Sequence, residues 1–198
     1  MSENIFETLA KRYDTPKQQA LATTIRAKIQ TKLPETAQKT LLDYGAGTGL
    51  ISLPLAKKFK KVYLVDTAAE MLKISKIKIK QQNLTNVTLQ QQDFASTTPT
   101  IQADVILLSL VLLHIPDTKK ILTSLYQTLH TNGQLIIVDF DKNTAVHHPK
   151  IHSGFDHNAL EKLLADIGFK EINIQTFYTG DKIFMNQKAA LFIATSVK

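Results

Sequence analysis

The residues with chemistry to offer begin at Asp43-Tyr44-Gly45-Ala46-Gly47-Thr48-Gly49. Alternating glycines let a backbone turn tightly and let a ligand approach the amides with no Cβ in the way. An apolar run, Thr40 to Tyr44, leads into the stretch and a helical segment follows it, the point where an open α/β sheet binds its ligand. Spacing then separates the ligands. A dinucleotide fingerprint, G-x-G-x-x-G, needs its third glycine at position 50, where Leu50 stands. A P-loop needs Gly-Lys-Ser/Thr, and none follows. Asp43 would repel a pyrophosphate but suits an ammonium group. Asp66 comes at about the 20-residue separation of an acid that binds ribose hydroxyls. The implied ligand has a ribose and a cationic end, and needs no phosphate site.

The elements that must position these residues alternate between strand and helix. Lys17 to Thr31 reads as a helix closed by Leu33-Pro34, Thr40 to Tyr44 as a first strand, and Leu50 to Phe59 as a helix that tolerates Pro54 near its first turn. Val62 to Val65 is a second strand. Thr67-Ala68-Ala69-Glu70 fits a capping box opening a helix that carries Met71, Ile74 and Ile77. Further strands are expected at Asn86–Gln91, Ala103–Leu112 and Gln134–Phe140, with a loop over 95–102. Asp117 opens a helix to His130, and Asp156 opens another that ends at Gly168. Ile172–Tyr178 and Ala189–Val197 read as a closing hairpin around Thr179-Gly180-Asp181. Such alternation predicts a doubly wound α/β fold, Rossmann-like and mostly parallel, with an antiparallel C-terminal strand.

Composition narrows the class. The 198 residues carry 24 Lys and Arg against 17 Asp and Glu, a net charge of +7, and 43% are hydrophobic. That is a globular balance, expected to make one domain spanning 1–198, with a helical N-terminal segment over 1–35 and the sheet and its helices over 36–198. With no Cys, disulfides, thiolate metal sites and cysteine nucleophiles are excluded. The N-terminus lacks the apolar core of a signal peptide, and the apolar run from Val105 to Leu113 is too short to span a bilayer, so a cytoplasmic protein with no membrane partner is expected. Lys57, Lys58, Lys60, Lys61, Lys73, Lys76, Lys78 and Lys80 read as solvated faces rather than a nucleic-acid surface.

The stretch LLDYGAGTG resembles the D-x-G-x-G-x-G motif of class I S-adenosylmethionine-dependent methyltransferases, and further motifs follow in the order of that family. Asp66 in VYLVD is similar to the acid on the ribose hydroxyls, and Asp93-Phe94 to the pair that holds the adenine. ADVILLSLVLLHIPD resembles the fourth motif, whose strand end passes under the methionine part of the cofactor. HSGFDHNALEKLLADIGF resembles the late helix of the small-molecule branch, related to ubiquinone/menaquinone-type enzymes. The resemblance implies S-adenosylmethionine as cofactor and S-adenosylhomocysteine as product. Its implied contacts are Asp43, Gly45, Ala46, Gly47, Gly49, Asp66, Thr67, Met71, Asp93, Phe94, Ser109 and Leu110, with Met71 also readable as core.

The acceptor side rests on fewer residues. His114 follows the fourth strand and reads as a base, a substrate hydrogen-bond donor or a turn residue. Residues 1–35 resemble the helical lid of that family, ahead of its catalytic sheet and helices over 36–198, and Tyr13 lies in this lid in the pattern Phe6 to Tyr13-Asp14. His152 and Phe155 stand where the family tends to have His-His-Gly-Phe, and Ser153 departs from that pattern. His147, His148, His152 and His157 lack any HExxH-type spacing, so they read as a solvated or substrate-facing loop with no metal. No Asn/Asp-Pro-Pro-Tyr/Phe follows the fourth strand, which favours a small-molecule acceptor of the methyl group at O, N or C. The alternatives are a tRNA or rRNA methyltransferase and a non-catalytic cofactor-binding module; the catalytic base and the oligomeric state are left open.

Overall fold

The computed structural model describes residues 5–198; the first four residues of the expected lid lie outside it. The chain forms two compact units, 1–97 and 98–198.

The first unit opens with a short helix α1 (Ile5–Leu9), a 3-10 turn (Ala10–Arg12) and helix α2 (Pro16–Gln30). Thr15 caps α2, with Pro16 in its first turn, where a missing N–H costs nothing. Strands β1 (Thr40–Tyr44), β2 (Lys61–Asp66) and β3 (Val87–Gln91) pair in parallel in the order β3-β2-β1, with helix α3 (Ala69–Gln81) between β2 and β3. Leu41, Leu42, Val62, Leu64 and Val65 are all at most 1% exposed, so β1 and β2 are apolar on both faces, as a covered parallel sheet requires. Burial of each such side chain contributes roughly 1.5–3 kcal/mol.

In the second unit β4 (Ala103–Ser109) pairs in parallel with β5 (Leu129–Phe140). Helix α4 (Thr118–Thr128) connects them, and α5 (His157–Ile167) follows β5. Strand β7 (Gln187–Val197) runs antiparallel to both β5 and β6 (Lys170–Phe184), giving the order β4-β5-β7-β6. The expected parallel sheet with an antiparallel C-terminal strand is therefore present.

Several boundaries differ from the sequence reading. The segment after the glycines forms only a short 3-10 helix, Leu53–Lys58, with Pro54 in its first turn, and the chain leaves it extended at Phe59. β4 ends at Ser109: Leu110 takes φ +56°, and the chain enters a 3-10 turn at Leu112–His114. Helix α4 stops at Thr128, short of the expected His130, and β5 begins at Leu129 rather than at Gln134. The closing hairpin turns at Met185-Asn186, not at Thr179–Asp181. Both Met185 and Asn186 have positive φ and lie between the paired Phe184 and Gln187, the geometry of a two-residue primed turn.

Candidate functional site

The expected site residues can be located unit by unit. In the first unit the turn after β1 is fastened by backbone bonds from Gly45 and Ala46 to the Val65 carbonyl, at 2.8 and 3.1 Å. Asp66 closes β2 with one carboxylate oxygen accepting the Gly47 N–H at 2.7 Å and the other the Ala68 N–H at 2.8 Å. It thereby ties the glycine turn to the start of α3. Burial is the main reason its carboxyl is held above the ordinary range.

Gly47 and Gly49 do different work in this turn. A Cβ at Gly49 would lie 2.7 Å from Leu53 and 3.2 Å from Leu64, so this position must be bare for the turn to pack on the sheet. Gly47 has φ +54°, and a Cβ there would meet nothing within 4 Å. It is bare toward open space, as close approach of a ligand to the backbone requires. Asp43, behind the turn, is 2% exposed; burial, with the Asp66 charge adding, raises its carboxyl to about 7. Two confined acids beside an open glycine turn favour a cationic ligand.

Asp93 and Phe94 follow β3. Asp93 accepts from the Ala95 N–H at 2.8 Å, the Ser96 hydroxyl at 2.7 Å and the Tyr44 hydroxyl at 3.3 Å. Phe94 is buried, its ring 5.0 Å from that of Tyr44. Met71 is 1% exposed, in a cluster with Ala10 and Ala68 against which Phe6, Tyr13 and Ile74 pack. Thr67 does not cap α3 as the capping box predicts. Ala68 occupies the cap position, and the Glu7 carboxylate accepts the Ala69 and Glu70 N–H groups at 2.6 and 2.9 Å. The carboxylate at the positive end of the helix therefore comes from the N-terminal segment, far away in sequence.

The same segment supplies a second latch. Asp14 accepts the Thr48 hydroxyl at 2.5 Å and pairs with Lys78 at 2.5 Å, while Lys78 donates to the Thr48 carbonyl at 2.8 Å. Lys78 is thus not on the solvated face assigned to it. Ser75 is fully buried and donates to the Gly47 carbonyl at 2.9 Å, whereas Ile77 is exposed, so the buried stripe of α3 is not its isoleucine stripe. Tyr13 lies with these cofactor-side groups, its hydroxyl raised by burial and by the Asp66 and Asp14 charges. Replacing Glu7 with Gln leaves one acceptor for two amides and is expected to lower stability by about 1 kcal/mol in thermal melts. Asp14→Asn is expected to cost a similar amount by loosening Thr48.

In the second unit β4 ends at Ser109, whose hydroxyl is buried with no hydrogen-bond partner among the described residues. Next to it, Leu110 holds its left-handed conformation through an N–H bond to the Val138 carbonyl at 2.8 Å. His114 ends the 3-10 turn, half-buried; burial, then the neighbouring His148, lowers it to about 4, so it is neutral near pH 7. His152 returns to the same turn: its N–H donates to the Leu113 carbonyl at 2.9 Å and its Nε2 to the Ile115 carbonyl at 2.8 Å. Phe155 packs beside His152, with ring centroids 5.5 Å apart. The structure therefore brings His114, His152 and Phe155 together in this unit. His157 turns elsewhere, bonding Asp141 at 2.8 Å, and His147 and His148 are exposed. Among the described residues no group of three His, Asp or Glu side chains could hold a metal ion. Sequence reasoning gave no site role to Glu7, Lys78 or Asp139, reading Lys78 as solvated, and gave Asp14 no role of its own. The first two carried only the signal of charged residues on helix segments.

A methyltransferase domain family matches residues 35–188. The chain belongs to this family, and its fold is that of class I S-adenosylmethionine-dependent methyltransferases. It is 27% identical over 169 residues to a malonyl-[acyl-carrier protein] O-methyltransferase of Bacillus cereus, covering 84% of this chain and 59% of that protein. It is 26% identical over 168 residues to the tRNA 5-carboxymethoxyuridine methyltransferase of Escherichia coli, covering 79% and 64%. The chain thus spans about three fifths of the length of these curated relatives. Among solved structures, a SAM dependent methyltransferase from Aquifex aeolicus superposes with a TM-score of 0.72 at 19% identity, covering 96% of this chain and 97% of that one. No described helix is long and apolar enough to cross a membrane.

Proposed function

We propose that this chain, as a single methyltransferase domain, transfers the methyl group of S-adenosylmethionine to an oxygen, nitrogen or carbon atom of a small-molecule acceptor, leaving S-adenosylhomocysteine. The cofactor would supply an already activated, sulfonium-bound methyl, so the protein has mainly to bind, orient and exclude water. The observation that carries this reading is the Asp66 carboxylate, which joins the open Gly47 turn to the start of α3.

The residues present fit the cofactor. Gly45, Ala46, Gly47 and Gly49 offer backbone to its methionine part, and Asp43 a buried carboxylate to its ammonium group. Asp66, with Thr67 beside it, suits the ribose hydroxyls. Asp93, Phe94 and Met71 suit the adenine, and Ser109 and Leu110 are assigned to the methionine side. Ser109 brings an unpartnered hydroxyl among the described residues. On the acceptor side we assign His114 and Phe155, with Tyr13 closing over the cofactor from the lid. A neutral His114 can accept a proton or a hydrogen bond from an acceptor hydroxyl without a prior loss of charge.

Calorimetric titration of the folded protein with S-adenosylmethionine is expected to show one site, and absence of binding overturns the reading. Labelled methyl should then pass from the cofactor into the small-molecule fraction of a cell extract. A second reading, methylation of RNA, is favoured by the +7 charge and by the tRNA-modifying relative. It requires label in bulk RNA, falling steeply with salt. Binding without label in either fraction would point to a cofactor-binding module.

A further inference from the structure

Asp139 is the one fully buried acid of the second unit among the described residues, and the chemistry above makes no use of it. It stands near the C-terminal end of β5, directly after the apolar run Leu135–Val138. One carboxylate oxygen accepts the Phe140 N–H at 2.8 Å, the other the Leu113 N–H at 3.1 Å, and the Leu112 N–H also bonds to it. A three-residue 3-10 turn cannot satisfy its own first amides, and a buried carboxylate is the strongest acceptor available to them.

The opposite side of the same turn is held by His152. The Leu113 carbonyl accepts the His152 N–H, and the Ile115 carbonyl accepts from its Nε2. A carbonyl cannot donate, so this ring must carry its proton on Nε2. The turn is therefore gripped at its amides by the Asp139 carboxylate and at its carbonyls by the backbone N–H and the ring of His152, and His114 is its last residue. Packing alone would be served better by an aliphatic residue at 139, since burying a carboxylate is costly unless its bonds are needed.

We propose that Asp139 and His152 are positioning residues that set the His114 ring against the methyl acceptor. This rests on the methyltransferase reading for its meaning, but the grip itself can be tested without any acceptor. Misplacement of a reacting partner by about 1 Å can cost 10²-fold in rate, so a clamp on both sides of the turn has a catalytic purpose.

The test is NMR titration of the His114 Cε1–H signal in the full chain. In the parent protein the ring should stay neutral down to pH 5, being half-buried beside His148. Asp139→Ala removes the carboxylate grip and His152→Ala the ring bond to the Ile115 carbonyl, leaving only the backbone bond to Leu113, and in both the loosened turn should let His114 titrate near the ordinary value of about 6.5. His152→Gln, which can still donate to the Ile115 carbonyl, should restore the parent behaviour. Methyl transfer into the small-molecule fraction should fall at least tenfold in both Ala variants, with the S-adenosylmethionine Kd within twofold of the parent. An unchanged His114 titration in folded His152→Ala overturns the clamp, even if Asp139→Ala fails to fold. Failure of the parent chain to bind S-adenosylmethionine overturns the methyltransferase reading instead, and the NMR result still decides the clamp.

Discussion

Replacing Asp66 with alanine is expected to weaken S-adenosylmethionine binding by about 10²- to 10⁴-fold, since under the proposed assignment two charge-assisted hydrogen bonds to ribose hydroxyls would contribute about 1.5–3 kcal/mol each. The structure adds a second reason. Asp66 accepts the Gly47 and Ala68 amides, so its loss also frees the glycine turn from the start of α3. Asp66→Asn keeps one acceptor oxygen and should retain part of the affinity. Calorimetry on protein shown folded by circular dichroism measures both variants. Binding of the Ala variant at parental affinity would remove Asp66 from the site and, with it, the main support for the cofactor assignment. Gly47→Val offers an independent check. It places a branched side chain in the open space at a φ of +54° and should abolish binding, with a smaller cost in stability than a bulky residue at Gly49.

What could be read from sequence follows the range over which each feature is encoded. Asp43 to Gly49 and Asp66 sit at strand ends, where a run of apolar residues stops and local spacing carries the meaning. The parallel strands β1, β2 and β4 are equally visible, because a strand covered on both faces is apolar almost throughout. Features that depend on partners distant in the chain were hidden. The α3 cap looked local in Thr67-Ala68-Ala69-Glu70, yet the carboxylate at those amides belongs to Glu7. Lys78 has the pattern of a solvated lysine, and only the arrival of Asp14 makes it part of a latch on Thr48. The hairpin turn was missed for a different reason. Gly180 looks like a turn residue, but it lies within β6 beside a break in register with β7, while Met185-Asn186 makes the reversal without any glycine. Asp139 reads as one acid ending an apolar strand, and nothing in its neighbours announces the amides that it receives.

The second large effect concerns Asp43 and the pH. Its carboxyl is buried and raised from the ordinary range near 3.8 to about 7. In the unfolded chain it ionises near 3.8, so the folded state binds the extra proton between that value and about 7. The sign follows: Asp43 does not oppose folding below pH 4, and its ionisation opposes it increasingly as pH rises toward 7. At pH 8 the cost is on the order of 4 kcal/mol, from about three pK intervals at 1.36 kcal/mol each. Asp43→Asn should therefore raise the melting temperature more at pH 8 than at pH 5. Cofactor binding should show the opposite preference. A cationic ammonium favours the ionised carboxylate, so affinity should rise by up to about tenfold per pH unit between pH 5 and 7, with release of close to one proton per cofactor bound. Calorimetry in two buffers of different ionisation enthalpy counts that proton. In Asp43→Asn the proton release should vanish and the affinity should fall, leaving a more stable protein that binds poorly. Parental affinity in this variant, with proton release unchanged, would show that the buried acid does not face the ammonium group. The fold would then be carrying a costly charge at the end of β1 for some other purpose. The expected result makes Asp43 a site where stability is given up for a cationic ligand, the opposite of what apolar neighbours such as Leu41 and Leu42 contribute to the same strand.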